Sequence, residues 1–308
     1  MSRYRPFIQA ALCCVVLAVS IITLANQQQS RTQPLVPSSS EDQSRYAEVA
    51  TTSGEMPAAM ASSTMSINVP ILVYHIVRPA YPDDSRAVRA LALTPETFDA
   101  QMMYLARAGY HVISFAALED YFKRHIALPE KPVILSFDDG WKDQFTYAFP
   151  LLVKNKYPAT FFIFTNSIGR HGFISWEDLQ IMQSAGMTIG SHSLSHPYLT
   201  RVATSTLWGE INDSKRILEQ HLGVSVNEFA YPFGNYNPAI IAIVKKAGYR
   251  SARGDYESGE QSPDRLYQLS ALNAPTTTAL FEKKFPITGY VMRQAVGTIL
   301  QTTTTSSE

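Results

Sequence analysis

Val133-Ile134-Leu135-Ser136-Phe137-Asp138-Asp139-Gly140 is the stretch on which the reading of this chain turns. Val133 to Phe137 is a short apolar run rich in β-branched and aromatic side chains, the pattern of a buried strand. It stops at two adjacent carboxylates and a glycine. Placing Asp beside Asp at the end of a core strand gains no apolar contact, because like charges repel and each resists desolvation. A bound cation resolves both problems. A solvated strand-to-helix turn is the competing reading of these residues alone, and the flanking sequence decides between them.

Outward from this strand, apolar runs alternate with helical patterns. Val69 to Tyr74, Tyr110 to Ile113, Ala159 to Phe164, Met187 to Ile189, Glu228 to Tyr231, Tyr249 to Ala252 and Leu266 to Leu272 read as strands. Thr94-Pro95-Glu96 reads as a helix start, with Thr94 as N-cap and Pro95 in the first turn. Phe98, Met102 and Leu105 share one face of that helix, and Gly109 stops it. Phe115 to about Lys123 is a short helix, Ser175 caps another that ends at Gly186, and Pro238 to Ala247 is a further one. The clearest is Thr204 to Leu222, where Leu207, Ile211, Ser214 and Leu218 fall on one face. Repeated β-then-α units imply a parallel sheet with crossover helices. Seven or eight units over roughly 225 residues suit a closed or nearly closed β/α barrel, with a doubly wound sheet as the alternative. Either arrangement gathers functional residues at the carboxyl ends of the strands.

Four polar clusters follow strands directly: His75, Asp138-Asp139, His192 with His196, and Tyr231-Pro232-Phe233-Gly234. In a barrel they converge on one rim. His192 and His196 stand four apart, a spacing that on a helical turn puts both imidazoles on one side, as a divalent metal requires. With a carboxylate they make a His₂-carboxylate set that leaves positions open for water and substrate. A second carboxylate can then act as base, an imidazole as acid and a backbone N–H as oxyanion donor, which are the parts needed to hydrolyse an amide or ester. His111, His125, His171 and His221 lack such partners and read as structural. Trp141, Trp176 and Tyr198 lie near the same loops and read as core or rim packing.

The termini carry a different signal. Arg3 and Arg5 precede an almost unbroken apolar run from Phe7 to Ala25, so residues 1–25 read as a signal peptide or an uncleaved membrane anchor, with Thr23-Leu24-Ala25 as a passable cleavage site. Basic residues on the N-terminal side place the folded part outside the cytoplasm, whether periplasmic, on the cell surface or secreted. Residues 26–67, rich in Ser, Thr, Pro, Ala and Gln, read as a linker, 68–300 as a single catalytic domain and 301–308 as a frayed tail. The only cysteines, Cys13 and Cys14, lie in the N-terminal segment, which excludes disulfide and thiolate chemistry from the domain. The 26 basic and 26 acidic residues cancel, so charge gives no case for a nucleic-acid partner, and a membrane enters only through residues 7–25.

Ser136-Phe137-Asp138-Asp139-Gly140 and His192-Ser193-Leu194-Ser195-His196 together resemble the first two motifs of the polysaccharide deacetylases of carbohydrate esterase family 4, the NodB-homology domain. The resemblance covers about Val69 to Leu272. It implies a distorted (β/α)₇ barrel that removes acetyl groups from N-acetylated sugars. It implies Asp138 as general base and Asp139, His192 and His196 as ligands of a divalent metal, zinc first, with cobalt or nickel as alternatives. Two departures stand out. The third family motif, Arg-x-Pro-aromatic-Gly, is here Ala230-Tyr231-Pro232-Phe233-Gly234, so the arginine that orients the base is missing while the Phe233 N–H remains available to an oxyanion. The C-terminal strand that carries the family's catalytic His is absent after Leu266, and Pro70 to His75 stands at the N-terminal side instead. This is similar to the circularly permuted branch that includes poly-N-acetylglucosamine deacetylases, and it implies His75 as general acid. The resulting expectation is a metal-dependent hydrolase acting on an extracytoplasmic N-acetylglucosamine-containing glycan. An O-acetyl glycan esterase and a non-catalytic glycan-binding module are the alternatives.

Overall fold

The computed structural model describes residues 66–254 and 258–286. The expected signal or anchor, almost all of the linker, the last residues of the expected domain and the tail lie outside these residues.

In chain order the elements are β1 (Ile67–Asn68), β2 (Ile71–Tyr74), β3 (Ile76–Val77), α1 (Arg86–Leu91), β4 (Ala92–Leu93), α2 (Pro95–Arg107), β5 (His111–Ile113), α3 (Phe115–Arg124) and β6 (Pro132–Phe137). Then come α4 (Phe149–Asn155), β7 (Thr160–Ile163), α5 (Trp176–Ser184), β8 (Thr188–Ser191), α6 (Thr204–Trp208), α7 (Ser214–Leu222) and β9 (Glu228–Ala230). The last are α8 (Pro238–Lys246), β10 (Ser251–Arg253), β11 (Glu260–Gln261), β12 (Leu272–Asn273) and α9 (Thr278–Lys284).

Helix starts follow local chemistry. The Thr94 hydroxyl accepts from the Thr97 N–H at the head of α2. Ser175 and Asp178 form a reciprocal capping box on α5. Each such cap is worth about 0.5–2 kcal/mol.

The main sheet runs β10-β9-β8-β7-β6-β2-β12, with β5 along the first half of β6. Every pairing in it is parallel. The sheet curls round on itself. Residues 266–273 touch β10 at their start, where Leu269 bridges Arg253, and lie against β2 at their end through β12. The seven strands of that path therefore form a distorted barrel, and the doubly wound alternative does not hold. Alternate side chains divide between two cores. Ile71, Val73, Ile134, Phe162, Ala230 and Leu269 pack in one with α3, while Leu72, Tyr74, Leu135, Phe137, Phe161 and Phe229 pack in the other with the outer helices.

Two expected elements change form. The helix expected from Thr204 to Leu222 is interrupted by a π-helical turn at Gly209–Asp213. Its apolar stripe survives, with Leu207, Ile211, Ser214 and Leu218 all buried. The strand expected from Leu266 to Leu272 is largely irregular. Here the Gln261 side chain takes over ladder bonding: its amide accepts from the Ser270 N–H at 3.1 Å and donates to the Ser270 carbonyl at 2.7 Å. Helices α1, α4 and α9 were not expected from the sequence patterns.

Candidate active site

His75 follows β2, Asp138 and Asp139 follow β6, His192 follows β8 and Phe233 follows β9. All strands being parallel, these residues meet at one end of the barrel. The backbone there is unusually constrained. Asp139 (φ 74°), Ser193 (φ 69°), His196 (φ 60°) and Phe233 (φ 59°) occupy the left-handed region, four of the seven non-glycine residues that do so among those described. Such conformations cost about 1–3 kcal/mol each and persist where surrounding contacts over-determine them. Gly140, at φ 74°, holds a left-handed conformation that side chains disfavour, and a Cβ there would also approach the end of the Ile163 side chain to 2.9 Å.

Asp139, His192 and His196 each direct one ligand atom to a common point. The two imidazole Nε2 atoms are 3.1 Å apart, and Asp139 Oδ1 lies 3.8 Å from His192 Nε2 and 3.4 Å from His196 Nε2. Tetrahedral ligands about 2.0–2.1 Å from a zinc ion stand roughly 3.3 Å from one another, so the set fits a divalent metal. The His192 tautomer agrees. His192 Nδ1 is 2.8 Å from the Ala230 carbonyl and donates to it, which leaves the Nε2 lone pair facing the cluster. Burial, the largest influence, lowers the His192 pKa to about 4 against the opposing charge of Asp138, so the ring is neutral at physiological pH. The other Asp139 oxygen accepts from Trp141 Nε1 at 3.0 Å, which splits the carboxylate between indole and cluster.

Asp138 is 1% exposed. Its Oδ2 lies 3.9 Å from both His75 Nε2 and His192 Nε2, between the two imidazoles. Its Oδ1 is held by Arg253 Nη2. Burial pushes its pKa up, but the Arg253 guanidinium, with His192 and His75, outweighs burial and holds the carboxyl below its usual range. Phe233 stacks on Tyr198 at 3.8 Å and meets the His196 ring at 4.6 Å. Of the residues read as packing, Tyr198 is thus an exposed rim residue of the site, and Trp176 stacks on His221 between α5 and α7.

Three residues that sequence reasoning passed over complete the arrangement. Arg253 sits one residue beyond the expected end of its strand. The signal available was a strand ending in a polar residue before Gly254, the same pattern as the other clusters. Gln144, fully buried, donates to the backbone carbonyls of His75 (2.7 Å) and Asp138 (2.5 Å) and so ties two strand ends together. Glu210, in the π-helical turn, accepts from the Ser195 N–H at 2.9 Å and hydroxyl at 2.6 Å, and its carbonyl accepts from the Leu194 N–H at 2.9 Å. No sequence signal marked either of these two.

Residues 125–252, which contain both motif stretches, match the family model described as polysaccharide deacetylase. Over these residues the chain is similar to polysaccharide deacetylases. Among its relatives, the poly-β-1,6-N-acetyl-D-glucosamine N-deacetylase of Staphylococcus aureus is 28% identical over 203 residues, covering 58% of this chain and 69% of that protein. Two solved structures are similar. The Streptococcus pyogenes deacetylase PplD, in complex with acetate, has a TM-score of 0.63 at 25% identity, over 68% of this chain and 93% of its own. IcaB from Ammonifex degensii has a TM-score of 0.61 at 26% identity, over 71% and 96%. The match begins after β2, so His75 reaches the rim from a strand N-terminal to the matched region.

Proposed function

We propose that the chain is a metal-dependent deacetylase that removes N-acetyl groups from an N-acetylglucosamine-containing polysaccharide outside the cytoplasm. The observation that carries the reading is the division of labour between the paired carboxylates. Asp139 faces the two histidines, whereas Asp138 has one oxygen fixed by Arg253 and the other free between His75 and His192.

When bound at Asp139, His192 and His196, a divalent ion supplies Lewis acidity to the acetyl carbonyl and brings the pKa of a water toward ~7. The chain's own groups do the rest. Asp138 Oδ2 takes the proton of the attacking water as its oxygen forms the new C–O bond. The Phe233 N–H donates to the carbonyl oxygen as negative charge develops there. As the C–N bond breaks, the leaving nitrogen takes a proton from His75 Nε2. Amide and water become free amine and acetate. General acid–base help of this kind is worth about 10²–10⁴-fold.

The relative that acts on poly-β-1,6-N-acetyl-D-glucosamine supports the glycan class. Arg3, Arg5 and the apolar run to Ala25 support an extracytoplasmic place, with the membrane reached through that segment if it is retained. A guanidinium on Asp138 Oδ1, supplied by Arg253, weighs against a non-catalytic glycan-binding module, which needs no oriented carboxylate beside its metal ligands.

The test is incubation of the purified chain and zinc with β-1,6- and β-1,4-linked N-acetylglucosamine oligomers, with and without chelator, and mass spectrometry for acetyl loss. Chelator-sensitive loss on one linkage is expected. Loss only of O-acetyl groups from acetylated glycans, with N-acetyl intact, would replace the reading with an esterase.

A further inference from the structure

We infer that Arg253 is the positioning residue of the catalytic base, and that it delivers from β10 a guanidinium in place of the one absent from position 230 on β9. The inference rests on the reading of Asp138 as base.

Register is the first argument. Arg253 and Ala230 are direct partners across the parallel β9–β10 pair. Partners across a ladder stand about 5 Å apart with side chains on the same face. A side chain from either position therefore reaches the same part of the barrel interior. Ala230, fully buried, presents only a methyl group there, and its carbonyl is occupied by His192.

Burial is the second argument. Arg253 is 1% exposed and Asp138 is 1% exposed. Taking a guanidinium out of water costs several kcal/mol, and pairing it with a buried carboxylate is weak evidence of a stability gain. Nor is the pair embedded in a larger stabilising network. Among the described residues, Nε and Nη1 of Arg253 have no hydrogen-bond partner, and the guanidinium carbon lies over the Phe162 ring, 4.7 Å from its centre. Packing against Phe162 leaves the guanidinium one anion to serve. Gly190 makes that packing possible, because a Cβ there would stand 2.6 Å from the Phe162 ring.

Geometry is the third. Arg253 occupies Oδ1, the oxygen remote from the histidines in the contacts of Asp138, and leaves Oδ2 for proton transfer. Without it the carboxylate can rotate and place neither oxygen in line. A displacement of about 1 Å at a reacting group costs on the order of 10²-fold in rate.

The experiment is a transposition in the full chain: Arg253→Ala, Arg253→Lys and the double variant Ala230→Arg/Arg253→Ala. Each is assayed on N-acetylglucosamine oligomers and on p-nitrophenyl acetate, with zinc affinity measured by chelator competition and folding by circular dichroism. Arg253→Ala is expected to lower kcat about 10- to 100-fold with KM and zinc affinity unchanged. The double variant is expected to recover most of the lost kcat, because the guanidinium reaches Asp138 from the partner position. Should Arg253→Ala fail to fold, Arg253→Lys and the double variant carry the comparison. Unchanged kcat in Arg253→Ala overturns the inference. So does recovery of folding without recovery of kcat in the double variant, or parallel loss of kcat and zinc binding. Hydrolysis by the unaltered chain of the ester but not of the glycan overturns the substrate reading alone, and hydrolysis of neither overturns both.

Discussion

At the scale of the residue, the two adjacent aspartates have opposite surroundings and so opposite expected sensitivities. Asp139 is partly exposed, shared between Trp141 and the two imidazoles, whereas Asp138 is buried against Arg253. Asp139→Ala is expected to abolish both zinc binding and turnover. Asp138→Asn is expected to keep zinc while losing at least about 10²-fold in kcat. Equilibrium dialysis with zinc and the acetyl-release assay check the pair, and normal turnover by Asp138→Asn would sink the assignment of the base. Two exposed rings at the rim make a second point. Phe233 is 45% exposed and Tyr198 39%, and they stack on each other beside His196. Exposed aromatic surface beside a catalytic centre suits the C–H faces of sugars. Tyr198→Ala is therefore expected to raise KM for oligomers about tenfold, from the ~1.4 kcal/mol of one lost aromatic contact, with little change for p-nitrophenyl acetate. Steady-state kinetics on both substrates measure this, and equal effects on the two would place Tyr198 in a purely structural role.

At the scale of the element, the interruption between α6 and α7 explains how the second histidine is held. Without the π-helical turn, Glu210 would continue a regular helix. With it, the Glu210 carbonyl and carboxylate both face the His192–His196 segment and bind Leu194 and Ser195. Turns of this kind recur at functional sites. Ser214, at the start of α7, adds a hydrogen bond to the Ser193 carbonyl at 3.0 Å, and its hydroxyl is 2.6 Å from that of Ser191. Glu210→Gln retains one acceptor oxygen for two donors. It is expected to weaken zinc binding about tenfold, the lower end of what outer-shell partners contribute, without unfolding the domain. Competition against a chromogenic chelator reads the affinity, and an unchanged value would show that the loop needs no such clamp. This feature was invisible in the sequence, because the spacing of Leu207, Ile211, Ser214 and Leu218 reads as one unbroken helix and nothing in it marks the turn at Gly209–Asp213.

At the scale of the whole molecule, the barrel has charge at both ends. Opposite the active rim, Glu228 begins β9 and is 5% exposed, with Glu119 of α3 nearby and 1% exposed. Burial first, and then the charge of Glu119, raise the Glu228 pKa from 4.5 to about 7, against the opposing Arg250. Arg250 pairs with Glu119 at 2.8 Å. Between these values the folded protein holds a proton that the unfolded chain has released, so stability falls as pH rises from about 4.5 to 7. The loss is of order 3 kcal/mol at its upper bound. Glu228→Gln is expected to flatten this dependence and to raise the melting temperature at pH 8 more than at pH 5. Thermal melts in chelator at the two pH values test it, and an equal shift at both would contradict the proton linkage.

Much of this architecture was legible beforehand. Alternation of apolar runs with helical faces specified a parallel sheet with crossover helices, because each period of two or 3.6 can bury its apolar side only in such layers, and closure of the sheet then decided for the barrel over the doubly wound alternative. Caps at Thr94 and Ser175 were readable because capping is local chemistry. The polar residues that end the strands, from His75 to Phe233, were readable because a parallel barrel gathers strand ends on one rim whatever the details. Arg253, Gln144 and Glu210 were not, for a common reason. Each acts on a residue far away in the chain or through a backbone irregularity: Arg253 on Asp138, Gln144 across to His75, Glu210 back to Ser195. By itself, then, the sequence determined which residue types stand at the ends of which strands, since periodicity and turn chemistry are encoded within a few neighbours. Only the tertiary structure decided how Asp138 is held, because register between strands brings Arg253 beside Ala230, and no local pattern records that two distant positions share one space.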